Sequence, residues 1–294
     1  FKMKPDLAER STGDRTPSIM RYYFPFLFLF IPLFANTASA QDDRCSSDQV
    51  QAALMEDSTY ARSYFAFEAA LSEMSNTTMR SSDTHVLPVV VHIMHAGTPA
   101  GTGSNVSDSQ VLSAIDALNA DFRGEFGGSD IDIEFALAAR DPEGNPTTGI
   151  LRTDVSAAIP SFSSTGMVTT SNLDPASEMN IKNLSHWPGS DYVNVWVLHK
   201  LNGGTSPLGF AYLPPTSGTH DGIVLHHQVF GVGAEFDLLN NFDLNRTLTH
   251  EMGHYLSLLH TFSNTSSCAD ESNCSSQGDR VCDTPPTTGS IGCS

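Results

Sequence analysis

Three imidazoles and one carboxylate fall within the eleven residues from His250 to His260, which read His-Glu-Met-Gly-His-Tyr-Leu-Ser-Leu-Leu-His. On a helix, His250 and His254 lie four residues apart and project from one face, so two imidazole nitrogens can reach one metal ion at roughly 2.0–2.1 Å. Glu251, beside the first of them, is placed to act on a metal-bound water rather than on the metal. His260 follows His254 by six residues, and six residues turn a helix by about 600°, which is not a whole number of turns. As a third ligand it requires the helix to end near Ser257 and the chain to turn back. The chemistry of such a set is hydrolysis. A helix that merely carries histidines would also explain a bare His-Glu-x-x-His, but the third histidine at this offset argues against it.

The cysteines are the other side chains with metal or redox chemistry. Four of the five, Cys268, Cys274, Cys282 and Cys293, follow the histidine run directly, and Cys45 stands far upstream. In an exported chain, four clustered cysteines favour two disulfides, and sequence alone allows three connectivities. A second zinc site is the rival, although the spacings contain no Cys-x-x-Cys pair. Cys45 is the odd one left over.

Export is expected from residues 20–40. Met20 and Arg21 form a short basic start, Tyr22 to Phe34 is an apolar run, and Ala38-Ser39-Ala40 is a small-x-small cleavage site that puts a mature start at Gln41. A transmembrane anchor is the alternative, but Pro25 and Pro32 interrupt a stretch that is already short for a span. Residues 1–19 are polar and read as upstream translated sequence or an overlong gene model, with Met20 as the start and Met3 as the alternative. The chain of 294 residues carries 33 acidic against 15 basic residues, a formal net charge of -18. That charge would be repelled by a phosphate backbone and argues against nucleic-acid partners. Asn-x-Ser/Thr sequons occur at Asn76, Asn105, Asn183, Asn245, Asn264 and Asn273; they bear on glycosylation only in a eukaryotic source.

The elements that must hold the histidines are legible in outline. Residues 46–75 read as helical, and Ser75 to Asp83 as a linker, so that 41–84 form a small segment ahead of the main domain. Val86 to Met94 is a near-continuous β-branched run expected of a buried strand. Ser107 and Asp108 can cap a helix from Ser109 to Phe122, with Val111, Ile115, Leu118 and Phe122 on one face. Ile131 to Leu137, Tyr192 to Leu198, Phe210 to Leu213 and Gly222 to His227 read as extended, and Arg246 to Leu258 as the helix of the histidine motif. Thr261 to Ser294 has little regular pattern and is expected to depend on disulfides. The fold class is therefore α+β, a mixed α/β arrangement.

At this point the chain resembles the pappalysins, the cytophagalysin-type peptidases of the metzincin clan. The match runs through Leu87-Pro88-Val89-Val90-Val91-His92, Ile115 to Arg123, Phe135 to Ala138 with Arg140-Asp141-Pro142-Glu143-Gly144-Asn145-Pro146-Thr147, Tyr192 to Trp196, and Leu208-Gly209-Phe210-Ala211. It continues through Arg246 to Glu251, His260-Thr261-Phe262, and Gly278-Asp279-Arg280-Val281-Cys282-Asp283-Thr284-Pro285, and so covers about residues 86–294.

The resemblance implies a metzincin-like peptidase domain over 85–294, with a twisted mixed sheet, an active-site helix and a disulfide-bonded irregular C-terminal part. It implies a secreted zinc endopeptidase, extracellular or at the periplasm or cell surface, whose partners are protein or peptide substrates and which does not stay inserted in a membrane. His250, His254 and His260 match its zinc ligands, and Glu251 matches the base that acts on the zinc-bound water. It also implies interleaved disulfides, Cys268 with Cys282 and Cys274 with Cys293. Calcium near the same loop is implied too, with Asp279 and Asp283, alongside Asp270 and Glu271, as hard oxygen ligands. Cys45 resembles the latency switch of family pro-segments, a thiolate that closes zinc's open position. His92, His95, His226 and His227 are expected to be structural.

Two departures stand out. Ser257 replaces the glycine that lets the metzincin backbone turn with positive φ toward the third ligand. The family's methionine-containing turn is expected beyond Ser294, since no Met follows Met252. These departures leave a non-catalytic secreted zinc-binding or interaction protein of the same fold as the alternative.

Overall fold

The computed structural model describes residues 44–75, 83–263 and 273–285. The expected leader at 20–40, the upstream residues 1–19 and most of the linker lie outside the described residues. In chain order the elements are α1 (Ser47–Met55), α2 (Ser58–Ser75), β1 (His85–His95), α3 (Asp108–Phe122), β2 (Ile133–Leu137), β3 (Ile150–Asp154), α4 (Phe162–Thr165), α5 (Glu178–Lys182), β4 (Val193–Leu198), β5 (Gly209–Ala211), β6 (Ile223–His226) and α6 (Arg246–Tyr255). The single helix expected over 46–75 is two, broken at Glu56 and Asp57. Among the described residues no helix is long and apolar enough to cross a membrane.

The sheet runs β2-β1-β4-β6-β5, and β1 also pairs with β3. Strand β1 is long enough to serve two neighbours along one edge: His85–Val89 face β2, and Val91–His95 face β3. All these pairings are parallel except β5 with β6. A mostly parallel sheet is covered on both faces, which explains the continuous apolar reading of β1 and β4. Alternation along each strand divides the core. Val89, Val91, Ile93, Val195 and Val197 pack with α3 and with Leu248 and Met252 of α6. Met94, Trp196, Leu198, Phe210 and Val224 pack on the other side with Ile181 of α5 and with Val50 and Leu54 of α1.

Helix α3 begins where its cap predicts, with Ser107 Oγ accepting from Gln110 N. Strand β3 and the short helix α5 are not foreseen in the sequence. Helix α5 carries a buried ion pair, Lys182 Nζ to Glu178 Oε1 at 2.7 Å. The ammonium also lies 4.5 Å from the Trp196 ring centroid and 4.9 Å from that of Tyr212, and Tyr212 Oη donates to Glu178 Oε2 at 2.8 Å.

Candidate metal centre

Helix α6 is set in place before it presents any chemistry. Its first flanking residue, Asn245, adopts φ 58° and is fully buried. The Asn245 side chain accepts from Gly231 N at 2.8 Å and donates to Ala114 O at 2.9 Å. Leu248 and Met252, four residues apart, face the core. That orientation turns His250, Glu251 and His254 toward the edge strand β5.

The helix ends as the third histidine demands. Ser257 takes φ 79°. Its N–H donates to His254 O at 2.8 Å, and Leu258 N donates to Gly253 O at 2.9 Å. These two bonds form a Schellman closure, with Ser257 at the left-handed position. The same turn brings Leu258 O within 2.7 Å of His254 Nδ1, and it returns the chain so that His260 meets the other two imidazoles.

The three Nε2 atoms of His250, His254 and His260 are 3.1 Å from one another. Cys45 Sγ closes the group at 3.6 Å from His254 Nε2. This is the one cluster among the described residues whose His, Cys, Asp or Glu ligand atoms all lie within 4.8 Å of one another. His254 Nδ1 faces a carbonyl and His260 Nδ1 faces Asp48 Oδ2 at 3.0 Å. Both Nδ1 atoms therefore carry the proton, and both Nε2 atoms present lone pairs to each other. Burial, followed by the neighbouring imidazoles, lowers His254 to about 3 and His250 to about 4, which keeps them neutral. Converging lone pairs without a proton between them repel unless a cation is shared. Ligand atoms about 2.0–2.1 Å (nitrogen) and about 2.3 Å (sulfur) from a tetrahedral ion stand about 3.3 Å and about 3.6 Å apart. The observed edges fit a metal ion.

Glu251 is fully buried beside this group. Its Oε2 accepts from Ser47 Oγ at 3.0 Å and lies 3.7 Å from Cys45 Sγ. Its Oε1 has no hydrogen-bond partner among the described residues. Burial raises the carboxyl to about 8, against the pull of the Ser47 and Cys45 hydrogen bonds. The Cys45 thiol is pushed up by burial and then by the Glu251 charge; a divalent cation reverses that balance and deprotonates a thiol it binds.

The segment that delivers Cys45 lies along β5. Leu208 N and Gly209 N donate to Arg44 O at 2.8 and 3.3 Å, Ser46 N donates to Gly209 O at 3.2 Å, and Cys45 bridges Gly209 in the parallel sense. Ser47 Oγ accepts from Ala211 N at 2.9 Å. A cavity of about 230 Å³ opens beside the base, lined by Leu208, Phe242, Thr247, His250 and Glu251.

The other expected site residues are not drawn together in this way. His92 is a core residue, bonded through Nε2 to Asn194 Oδ1 at 2.9 Å and stacked on Trp196; His226 and His227 are buried outside the cluster, and His95 ends β1. Asp279 Oδ1 accepts from Val281 N at 2.9 Å, and neither Asp279 nor Asp283 joins a group of three or more potential ligands among the described residues. Asp270 and Glu271 lie outside them. The expected disulfide pairing is corrected: Cys274 joins Cys282, with Cα atoms 5.0 Å apart. Successive turns, Ser276 N to Asn273 O and Arg280 N to Gln277 O, fold that short loop back on itself. Cys268 and Cys293 lie outside the described residues.

Comparison with known proteins agrees with this geometry. The family model described as pregnancy-associated plasma protein-A matches residues 176–292. Mature mirolysin of Tannerella forsythia, solved in complex with a cleaved peptide, is 32% identical, with a TM-score of 0.54 over 72% of this chain and 74% of that one. The chain belongs to the pappalysin family. A promirolysin variant of the same organism is 29% identical to this pappalysin, with a TM-score of 0.60 over 85% of this chain and 76% of that one. An extracellular metalloprotease of Arthroderma gypseum is 29% identical over 75% of this chain, which spans 63% of that relative's length. Cys45, His250, His254 and His260 are the group among the described residues that could hold the metal ion of a metallopeptidase. The sequence missed Ser47 and Asp48, which touch Glu251 and His260; no local signal marks a contact across two hundred residues.

Proposed function

We propose that this chain is the precursor of an exported zinc endopeptidase that cleaves peptide bonds in proteins. Residues 20–40 are the leader, 41–84 a pro-segment, and 85–294 belong to the catalytic domain. The single observation that supports this most is the convergence of three imidazole nitrogens with a buried carboxyl group beside them. Three imidazole nitrogens about 3.1 Å apart, with a cysteine sulfur 3.6 Å from one of them, suit zinc above other common ions. Extracellular relatives and the likeness to promirolysin support export and a precursor form.

His250, His254 and His260 hold the zinc, and the turn at Ser257 fixes the second and third of them. When bound, zinc supplies a Lewis acid that activates a water near neutral pH and stabilises developing oxyanion charge. Glu251 takes the proton of the attacking water on its carboxylate and returns it to the leaving amine. The edge of β5 covered by Arg44–Ser46 is a strand edge on which an extended substrate can add through main-chain hydrogen bonds. In the precursor, Cys45 closes the fourth ligand position, Ser47 holds the base, and the segment covers that edge; latency follows.

Glu251→Gln tests the reading. The variant should lose roughly 10²–10⁴-fold or more in kcat/KM on a protein substrate while retaining the parent's zinc content. Cleavage that survives the substitution would overturn the mechanism.

A further inference from the structure

The three histidines differ in what holds their outer nitrogens. His254 Nδ1–H donates to Leu258 O, a carbonyl of the catalytic domain itself. His260 Nδ1–H donates instead to Asp48 Oδ2 at 3.0 Å, on the first turn of α1, 212 residues away in sequence. The His260 side chain is 5% exposed, against 44% for Asp48. A buried imidazole is thus steadied by a carboxylate reaching in from the rim. A carboxylate on the outer nitrogen of a metal-bound histidine fixes its tautomer and ring orientation and raises its basicity. Here the carboxylate belongs to the segment that processing would remove.

We propose that Asp48 is a positioning residue for the metal centre: it orients His260, so that the pro-segment helps to build the zinc site in the precursor as well as to block it. Release of the segment withdraws two supports at once, the Cys45 sulfur inside the site and the Asp48 carboxylate behind it. The precursor therefore holds zinc more tightly than the processed enzyme, and metal is loaded before activation. This rests on the reading of 41–84 as a removable pro-segment of a zinc peptidase. Asp48 sits three residues from the Cys45–Gly209 bridge that pins the segment to β5, so its position is set independently of the bond it makes.

The experiment measures zinc affinity of the full-length precursor by competition with a chromophoric chelator, in parent, Asp48→Asn, Asp48→Glu and Cys45→Ser proteins, before and after processing. Asp48→Asn keeps the shape of an exposed side chain and removes its charge. It should weaken zinc binding by the precursor roughly 10–100-fold, the usual effect of losing such an outer partner, and Asp48→Glu should recover part of that loss. After processing, parent and Asp48→Asn proteins have the same sequence and should share one affinity and one kcat/KM. With Co²⁺ as the probe, the thiolate charge-transfer band should persist in Asp48→Asn and vanish in Cys45→Ser. An Asp48→Asn precursor with the parent's affinity would overturn the role of Asp48. Absence of the thiolate band from the parent would instead sink the latency reading while leaving the affinity comparison intact.

Discussion

Glu251 is touched twice by the segment ahead of β1, through Ser47 and through Cys45. Its carboxyl is held up at about 8 by burial while Ser47 Oγ and Cys45 Sγ occupy its Oε2 side. Burial and the same carboxyl raise the Cys45 thiol, so only a cation in the histidine cluster makes sulfur the better occupant of this position. A serine hydroxyl at Cys45 lacks that affinity. Cys45→Ser is therefore expected to give a precursor that hydrolyses a peptide without processing, at a rate on the order of tenfold or more above the parent precursor, since about 1.4 kcal/mol of lost contact shifts the covered-to-open ratio by ten. Initial rates on unprocessed protein, confirmed intact by mass spectrometry, decide it. A variant as latent as the parent would leave strand pairing at β5 as the whole basis of latency. At this scale the sequence was informative about types and local spacing, singling out the three histidines that converge, Glu251 beside them and Cys45. It was silent on Ser47 and Asp48, whose partners lie across the fold, and resemblance gave a cysteine pairing that the Cys274–Cys282 bridge replaces.

Among the elements, the turn that ends α6 carries the clearest cost. Ser257 at φ 79° sits where glycine is at ease, and its Oγ is buried without a hydrogen-bond partner among the described residues. A side chain in the left-handed region costs roughly 1–2 kcal/mol, offset in part by the greater chain entropy that glycine brings to the unfolded state. Ser257→Gly should stabilise the protein by about 1 kcal/mol and raise Tm by roughly 2–4 °C, with zinc content unchanged. Ser257→Ala, which removes the hydroxyl and keeps the strain, should gain less. Equal gains from both would assign the effect to the hydroxyl rather than the backbone. The turn was foreseen because the His254–His260 spacing is impossible on a continuous helix. Strand β1, helix α3 and helix α6 were legible for similar reasons: a β-branched run, a serine cap with 3.6-residue spacing, and a motif that needs a helix. Strand β3 was not, because Ile150–Asp154 is only half-buried and shows no clean alternation. Helix α5 is five residues long, too short for a periodic signal, and it forms because Ile181 and the Lys182–Glu178 pair are buried by tertiary packing.

For the molecule as a whole, one buried and one half-buried carboxyl set opposite limits on the pH range of stability. Glu178 is 4% exposed. Burial opposes its charge, but Lys182 beside it prevails and holds the carboxyl down at about 2. Its folded value lies below its unfolded value, so its contribution is complete above about 4.5 and is lost as pH falls through about 2. Asp221 is raised by burial to about 6. Its neutral form is favoured in the fold, so the corresponding stability is present below about 3.8 and is lost as pH rises through about 6. The formal net charge of -18 adds self-repulsion toward neutral pH, so the molecule should be most stable in mildly acidic solution. Removing one partner of a buried pair costs about 3–5 kcal/mol, so Glu178→Gln should lower Tm at pH 6–7 by on the order of 10 °C. The deficit relative to the parent should shrink as both proteins are taken below about pH 4.5, where this carboxylate begins to take up its proton in the unfolded parent while the folded one stays charged down to about 2. Asp221→Asn should do the reverse, gaining on the parent as pH rises from about 4 to about 6. Taking differences between variant and parent at each pH cancels the loss of zinc from protonated histidines, which all three proteins share. A Glu178→Gln deficit that stayed constant from pH 7 down to pH 3 would mean that Glu178 is not charged in the fold, and Lys182 would then owe its place to the aromatic rings and the His220 carbonyl around it.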